Sequence, residues 1–293
     1  MGATVSKMPA DICLNIRSPS LSVSLRTLEH HGLPMSNDGQ VTLNISNSVA
    51  HITFDRPRAR NAMTWRMYED MAKACETIRT RDDIRVVILR GAGGKAFIAG
   101  TDIAQFADFS SGEDGINYEK QIAEFVGGVA SLPKPTVAVV EGWAVGGGMA
   151  IASVCDFRVA TPGARFGVPI ARTLGNCLAE GNLKVLVATL GLPMVKRMLL
   201  LADMVPAEEL TANGYVHQIV VPEEIESAIA TLAGQLSSHA PVTMDASKTV
   251  LNRIIEATEV EDHDIVDRVY GSQDFHEGVS AFVAKRPPVW RGQ

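Results

Sequence analysis

Two glycine-bearing segments concentrate the chemistry that this chain can offer. The first is Lys95-Ala96-Phe97-Ile98-Ala99-Gly100-Thr101-Asp102-Ile103. The second runs from Lys134 and ends Trp143-Ala144-Val145-Gly146-Gly147-Gly148-Met149-Ala150. Each places glycine where a strand ends, so another group can approach the backbone closely. The second also opens a helix on three glycines, and the free N–H groups and dipole of such a terminus favour negative charge. Two converging N–H donors suit an enolate or a tetrahedral oxyanion, and losing one such donor typically costs about 10²–10³ in rate. Taken singly, either segment also reads as a tight turn packing backbone on backbone.

Other chemistries lack their residues. No GxSxG, GxxxxGK[ST] or HExxH run occurs. Gly91-Ala92-Gly93-Gly94 lacks the third glycine of a dinucleotide turn at its offset, and a strand rather than a helix follows it. The seven histidines show no ligand spacing. Cys13, Cys75, Cys155 and Cys177 contain no CxxC pair, so they read as free buried thiols and no metal site is expected.

The elements around these segments follow from periodicity. Residues 41–45 and 49–54 alternate apolar and polar side chains about Asn47-Ser48, which predicts a hairpin with one wet face. Met67, Met71, Ala74, Cys75 and Ile78 fall at helical spacing behind Thr64, a fitting N-cap. Residues 85–90 and 136–141 are too continuously apolar for half-wet strands and are expected to be buried on both faces. Short strands are expected at 96–99 and 157–160, with a polar helix over 118–131. The later chain reads as helices at 193–201, 207–212, 222–236 and 244–257, with one strand over 215–220. This is an α/β core with a helical tail.

Composition narrows the function. The chain has 293 residues, and 27 Lys+Arg against 33 Asp+Glu leave a net charge of −6, without the basic footprint of a nucleic-acid binder. No stretch of 18 apolar residues is present, so no membrane span is expected. Residues 1–34 lack clear periodicity and are expected to lie outside the fold, with Met35 as an alternative start. They lack the layout of a secretory signal. The chain therefore reads as cytoplasmic, or as a mitochondrial-matrix protein if the extension serves as a transit peptide.

Together the two glycine segments read F-x-A-G-x-D-I and K-P-x-x-A-x-x-x-G-x-A-x-G-G-G. In that order they resemble the crotonase (enoyl-CoA hydratase/isomerase) superfamily, over roughly residues 41–290. Arg56-Pro57-Arg58-Ala59-Arg60-Asn61-Ala62, Ala164-Arg165-Phe166-Gly167 and the ending Glu277 through Arg286 extend the match. The resemblance implies an α/β fold: a crotonase-like spiral of ββα units over 35–220 and a C-terminal helical trimerisation region over 221–293. It implies self-association to a trimer or a dimer of trimers. It also implies an acyl-CoA substrate, with no cofactor beyond the coenzyme A of that substrate. Mapped by motif, the oxyanion donors are the N–H groups of Thr101 and Gly147. The backbone of Ala99, Gly100, Asp102 and Ile103 would wrap the adenine. Arg58 and Arg60, with the late Phe282 and Lys285 from across a subunit interface, would reach CoA phosphate or ribose.

The departures from the family pattern carry as much weight. Hydratases of this family use two glutamates, one two residues beyond the triple glycine and one after Phe-Gly-x-Pro. Here those positions, in the acyl pocket, are Ala150 and Ile170, and neither can move a proton. Glu180 is the one carboxylate of the following loop and is the candidate acid/base, with Arg172, Asn176 and Cys177 as polar neighbours. It reads equally as a helix N-terminal glutamate favoured by the dipole. Glu124 and Asp102 are further candidates, Asp102 more as a structural residue. The default expectation is an enoyl-CoA hydratase, a lyase on 2-enoyl-CoA. Its alternatives are an isomerase, a thioester hydrolase or related chemistry using a non-standard acid, and a non-catalytic acyl-CoA-binding subunit.

Overall fold

A computed structural model describes residues 38–257 and 260–293, and the extension over 1–34 lies outside them. The alternating segments form strands β1 (Gln40–Ser46) and β2 (Val49–Asp55), an antiparallel hairpin whose turn residues Asn47 and Ser48 have φ of 50° and 62°. Helix α1 (Trp65–Arg79) follows, capped as expected: Thr64 Oγ1 accepts from Met67 N–H at 3.3 Å. Then come β3 (Val86–Gly91), β4 (Ala96–Ile98), α2 (Gly112–Ala130), β5 (Thr136–Val140), β6 (Trp143–Val145), α3 (Gly147–Val154), β7 (Phe157–Ala160) and β8 (Arg165–Gly167). The remainder is α4 (Ile170–Thr173), α5 (Glu180–Leu190), α6 (Leu192–Leu200), β9 (Val205–Pro206), α7 (Ala207–Thr211), β10 (Gln218–Ile219), α8 (Ile225–Ser238), α9 (Pro241–Glu256), α10 (His263–Tyr270) and α11 (Gln273–Val283).

From β3 to β8, successive strands go alternately to two sheets. One sheet has the order β1-β2-β3-β5-β7-β10 and the other β4-β6-β8-β9. Strands β3, β5 and β7 run parallel in the first, and β4, β6 and β8 run parallel in the second. Each pair thus lays one strand on each sheet before a helix returns the chain, which is a spiral of ββα turns.

The continuous apolar strands are covered on both faces, as their composition predicts. Val87, Leu89, Ala138, Val140 and Ala160 face the main core. Val86, Ile88, Val137, Val139 and Val159 face Ile225, Ile229, Leu232 and Leu236 of α8.

Two readings change in the structure, and two sets of elements that the periodicity did not give are added. Helix α2 begins at Gly112 rather than near Tyr118, because Asp114 accepts from the N–H groups of Ser110 (2.8 Å) and Ser111 (2.9 Å) and caps an earlier turn. The strand expected over 215–220 contracts to Gln218–Ile219. Strands β6 and β8 have three residues each, too few to display a period. Helices α10 and α11, beyond the last helix that the periodicity gives, fold back over α2 and the segment that follows β4.

That last packing depends on two glycines of α2. A Cβ built on Gly112 would fall 2.2 Å from the carbonyl oxygen of Asp267, and one on Gly115 would fall 2.1 Å from Tyr270 Cγ. Without these side chains, α10 lies directly against α2 and the Tyr270 ring is fully buried.

Candidate active site

The segment Ala99–Ile103 is held from below by the loop before α1. Asn61 is fully buried and donates through Nδ2 to the carbonyls of Ala92 (3.0 Å) and Ala96 (2.8 Å). Ala99 N–H donates to Arg60 O at 3.1 Å. Met63 N–H donates to Gly100 O and Asp102 N–H donates to Met63 O, both at 2.8 Å, so Met63 brackets Thr101. A parallel bridge of this kind leaves the N–H of the bracketed residue pointing the other way. Gly100 reaches this turn with φ of 101°, a value that glycine adopts without strain.

The second segment arrives from β6. Gly146 has φ 53° and ψ −117°, and its N–H donates to Gly167 O of β8 at 3.0 Å. Gly147 is then the first residue of α3, whose N–H has no partner within the helix. A Cβ built on Gly147 would lie 2.8 Å from Tyr68 Oη and 3.6 Å from Thr101 Oγ1, which places the two segments side by side. Among the described residues, neither Thr101 N–H nor Gly147 N–H donates to a backbone or side-chain acceptor. Behind them lies a buried hydroxyl cluster: Thr101 Oγ1 is 2.9 Å from Tyr68 Oη and 2.7 Å from Tyr118 Oη. Burial pushes the Tyr68 and Tyr118 phenols far above their ordinary range, so both are neutral hydrogen-bonding groups.

Both N–H positions open on one cavity of about 550 Å³. The predicted residues Arg60, Ala99, Gly100, Thr101, Asp102, Ile103, Gly147, Ala150, Ile170 and Phe282 all line it. Phe282 lines it from the end of this chain's own α11. Arg58 and Lys285 are exposed and do not line this cavity. Asp102 is held by Arg56, with Nη1 to Oδ2 at 2.7 Å, and it caps the following turn by accepting from Ala104 N–H at 3.1 Å. Both contacts tie the Asp102 carboxylate to the turn that follows β4.

Glu180 is not brought to this cavity. It begins α5, pairs with Lys184 Nζ at 2.5 Å, and lines two neighbouring clefts instead. Its place at the helix N-terminus matches the dipole reading. Of its expected neighbours, Arg172 and Asn176 line the main cavity and Cys177 does not. Glu124 does not line it either.

Besides Asp102, the acidic residue that lines the cavity is Glu119, one residue beyond Tyr118 on α2. It is 3% exposed. Its Oε1 accepts from Tyr270 Oη at 2.7 Å and its Oε2 accepts from Ala179 N–H at 2.9 Å. Asn176 Nδ2 donates to Tyr270 Oη at 3.3 Å, so the phenol is supplied from one side and donates on the other. Burial raises Glu119 to a pKa of about 7; the two hydrogen bonds oppose that rise and the nearby Asp262 adds to it. The sequence did carry a signal for this residue. Glu119 lies in line with the apolar positions Ile122, Val126 and Val129, which are all buried, so it is an acid within a helix's buried stripe.

Among the described residues, no three His, Cys, Asp or Glu side chains gather as a metal site would require. Cys75, Cys155 and Cys177 are free, and burial raises their thiols to about 11, 12 and 12. No described helix is long and apolar enough to cross a membrane.

A ββα spiral with two backbone N–H groups without protein acceptors at one cavity defines the class: a crotonase-type fold. The profile of the enoyl-CoA hydratase/isomerase family matches residues 44–293, and the chain belongs to that family. It is 32% identical to (E)-benzylidenesuccinyl-CoA hydratase of Thauera aromatica over 262 residues, covering 86% of this chain and 99% of that one. To the short-chain-enoyl-CoA hydratase of Clostridium acetobutylicum it is 31% identical, over 84% and 95% of the two chains. Among solved structures, a methylmalonyl-CoA decarboxylase in complex with 2-nitronate-propionyl-CoA superposes with a TM-score of 0.79 at 27% identity, over 87% of this chain and 99% of that one.

Proposed function

We propose that the protein acts on an acyl-CoA thioester whose carbonyl oxygen accepts from Thr101 N–H and Gly147 N–H. The observation that carries this reading is the pair itself: two backbone donors without protein acceptors, side by side, at the wall of a cavity large enough for an acyl chain. Charge that develops on the oxygen when the α-carbon loses a proton, or when a nucleophile adds at the β-carbon, is stabilised there. Arg60 and Phe282 are suited to the coenzyme portion, and the apolar Ala150 and Ile170 to the acyl portion. No group beyond the coenzyme A of the substrate is required.

The reaction that the residues favour is enolate-forming proton transfer of the enoyl-CoA isomerase type. The relatives named as hydratases support a 2-enoyl-CoA as the default substrate class. However, Ala150 (4% exposed) and the partly buried Ile170 stand where a two-glutamate hydratase holds water. Exposed apolar residues Val242, Val250, Leu251 and Ile254 on α9 support self-association to a trimer or a dimer of trimers.

Crotonyl-CoA hydration and conversion of a 3-enoyl-CoA to its 2-enoyl isomer can be followed by the absorbance of the conjugated thioester. Isomerisation faster than hydration is the expected result. Binding of both thioesters without turnover would instead favour a non-catalytic acyl-CoA-binding subunit.

A further inference from the structure

We infer that Glu119 is the acid/base of this site, exchanging a proton with the carbon next to the thioester, and that Tyr270 is its positioning residue. The inference rests on the acyl-CoA reading above.

Geometry carries it. Among the described residues two carboxylates line the cavity that holds Thr101 and Gly147, and Asp102 is already paired with Arg56. Glu119 has no ion-pair partner among the described residues. Instead it is fixed by two neutral donors that belong to different elements, the Tyr270 phenol on α10 and the Ala179 N–H at the start of α5. A carboxylate buried with neutral donors and no cation keeps the basicity to take a proton from carbon. The titratable groups coupled to it are Tyr68 from α1, Tyr118 on its own helix, Tyr270 from α10, Asp262 ahead of α10, and Cys177 in the loop before α5. Lys120, Glu180, Glu261 and His263 share a neighbouring cleft with it and Arg56, Arg60 and Arg172 line the same cavity, but none of the cations among them forms an ion pair with Glu119. The resulting pKa of about 7 places the group where both the acid and the base form are populated near neutrality.

The step balances with one carboxylate. Glu119 carboxylate takes the α-proton, the C–H electron pair becomes the Cα–C1 double bond, and the carbonyl π pair moves to oxygen, facing the N–H groups of Thr101 and Gly147. The proton, now on Glu119, returns either to the α-carbon or to the distal carbon of an unsaturated chain. The second outcome is an isomerisation with no other reactant.

The competing account is a purely structural clamp, in which Glu119 ties α2 to α5 and α10. Acetoacetyl-CoA separates the two, because its acidic α-carbon gives an enolate with its own absorbance and no turnover is needed. The wild-type protein is expected to bind it and develop the enolate signal with a pH midpoint near the Glu119 pKa of about 7. Glu119→Gln is expected to retain binding and to lose the rate of enolate appearance by about 10² or more. Tyr270→Phe keeps the carboxylate but removes a donor to it, so the midpoint should move upward. Enolate formation in E119Q equal to the wild type would overturn the inference, as would wild-type binding without enolate. Should E119Q fail to fold, an unshifted midpoint in Y270F overturns it. Failure of the wild type to bind acetoacetyl-CoA would remove the acyl-CoA reading itself, and this inference with it.

Discussion

The ring of Tyr270 packs where the side chain of residue 115 would otherwise be: a Cβ on Gly115 would fall 2.1 Å from Tyr270 Cγ and 2.4 Å from Tyr270 Cβ. This close approach lets the phenol reach Glu119 on the next turn of the same helix, since residues four apart share a helical face. Gly115→Ala must push Tyr270 outward. The expected outcome is a loss of about 1–3 kcal/mol of stability in denaturant unfolding, as for overpacking generally. Pairing it with Tyr270→Ala should return part of that loss, which a double-mutant cycle would detect. Additive effects would show that the two sites do not touch.

At the cavity wall, Gly147→Ala directs its methyl group at the Oη of the buried Tyr68, 2.8 Å away. Turnover should fall, and Tyr68→Phe in the same chain should restore part of it by removing the obstructing oxygen. Gly147→Pro removes the donor itself, for which the expected loss is about 10²–10³ in kcat. Equal activity of G147P and the wild type, with the fold intact, would exclude this N–H from the chemistry.

Ala150→Glu combined with Ile170→Glu would supply the pair of carboxylates that this chain lacks. Crotonyl-CoA hydration is expected to rise by about tenfold or more, toward the 10²–10⁴ range that general acid–base groups contribute. Ala150 is buried, so a stability cost of about 1–3 kcal/mol is expected alongside. No gain in hydration would show that a water does not fit between these positions.

Glu119 also sets a pH dependence of stability. Its native pKa is raised from 4.5 to about 7, so between these values the folded protein holds a proton that the unfolded chain has released. That contribution is fully present below the unfolded value and is lost as pH rises through about 7, amounting to at most roughly 3 kcal/mol. Urea unfolding from about pH 5 to about pH 8 should show this decline, and Glu119→Gln should flatten it. A slope unchanged in E119Q would assign the titration to another group.

Glu180→Gln provides the contrast. Its carboxylate is about one-third exposed and pairs with Lys184 outside the main cavity. Stability should change by less than about 1 kcal/mol, as for a partly exposed ion pair, and enolate formation from acetoacetyl-CoA should persist. Loss of that signal in E180Q would return the acid/base role to Glu180.

What the sequence determined by itself is local or repeated. The hairpin about Asn47-Ser48, the Thr64 cap, the doubly buried strands and the glycines at the turns all follow from neighbours a few residues apart, where period and backbone freedom are visible. The two long motifs, together with Ala150 and Ile170, identified the family resemblance and the absent glutamates in the same way.

Only the tertiary structure decided which carboxylate faces the cavity. Glu119 sits in a helix that also carries Glu113, Asp114, Lys120 and Glu124, so its composition singles out no one carboxylate even though the apolar stripe runs through position 119. Its partner Tyr270 lies 151 residues away, on a helix that packs there because Gly112 and Gly115 leave room for it. Glu180, next to the motif in the chain, is turned aside by its place at the head of α5 and its pairing with Lys184. Nearness along the chain marks where a helix starts; burial and the pKa that follows from it depend on what folds over the helix.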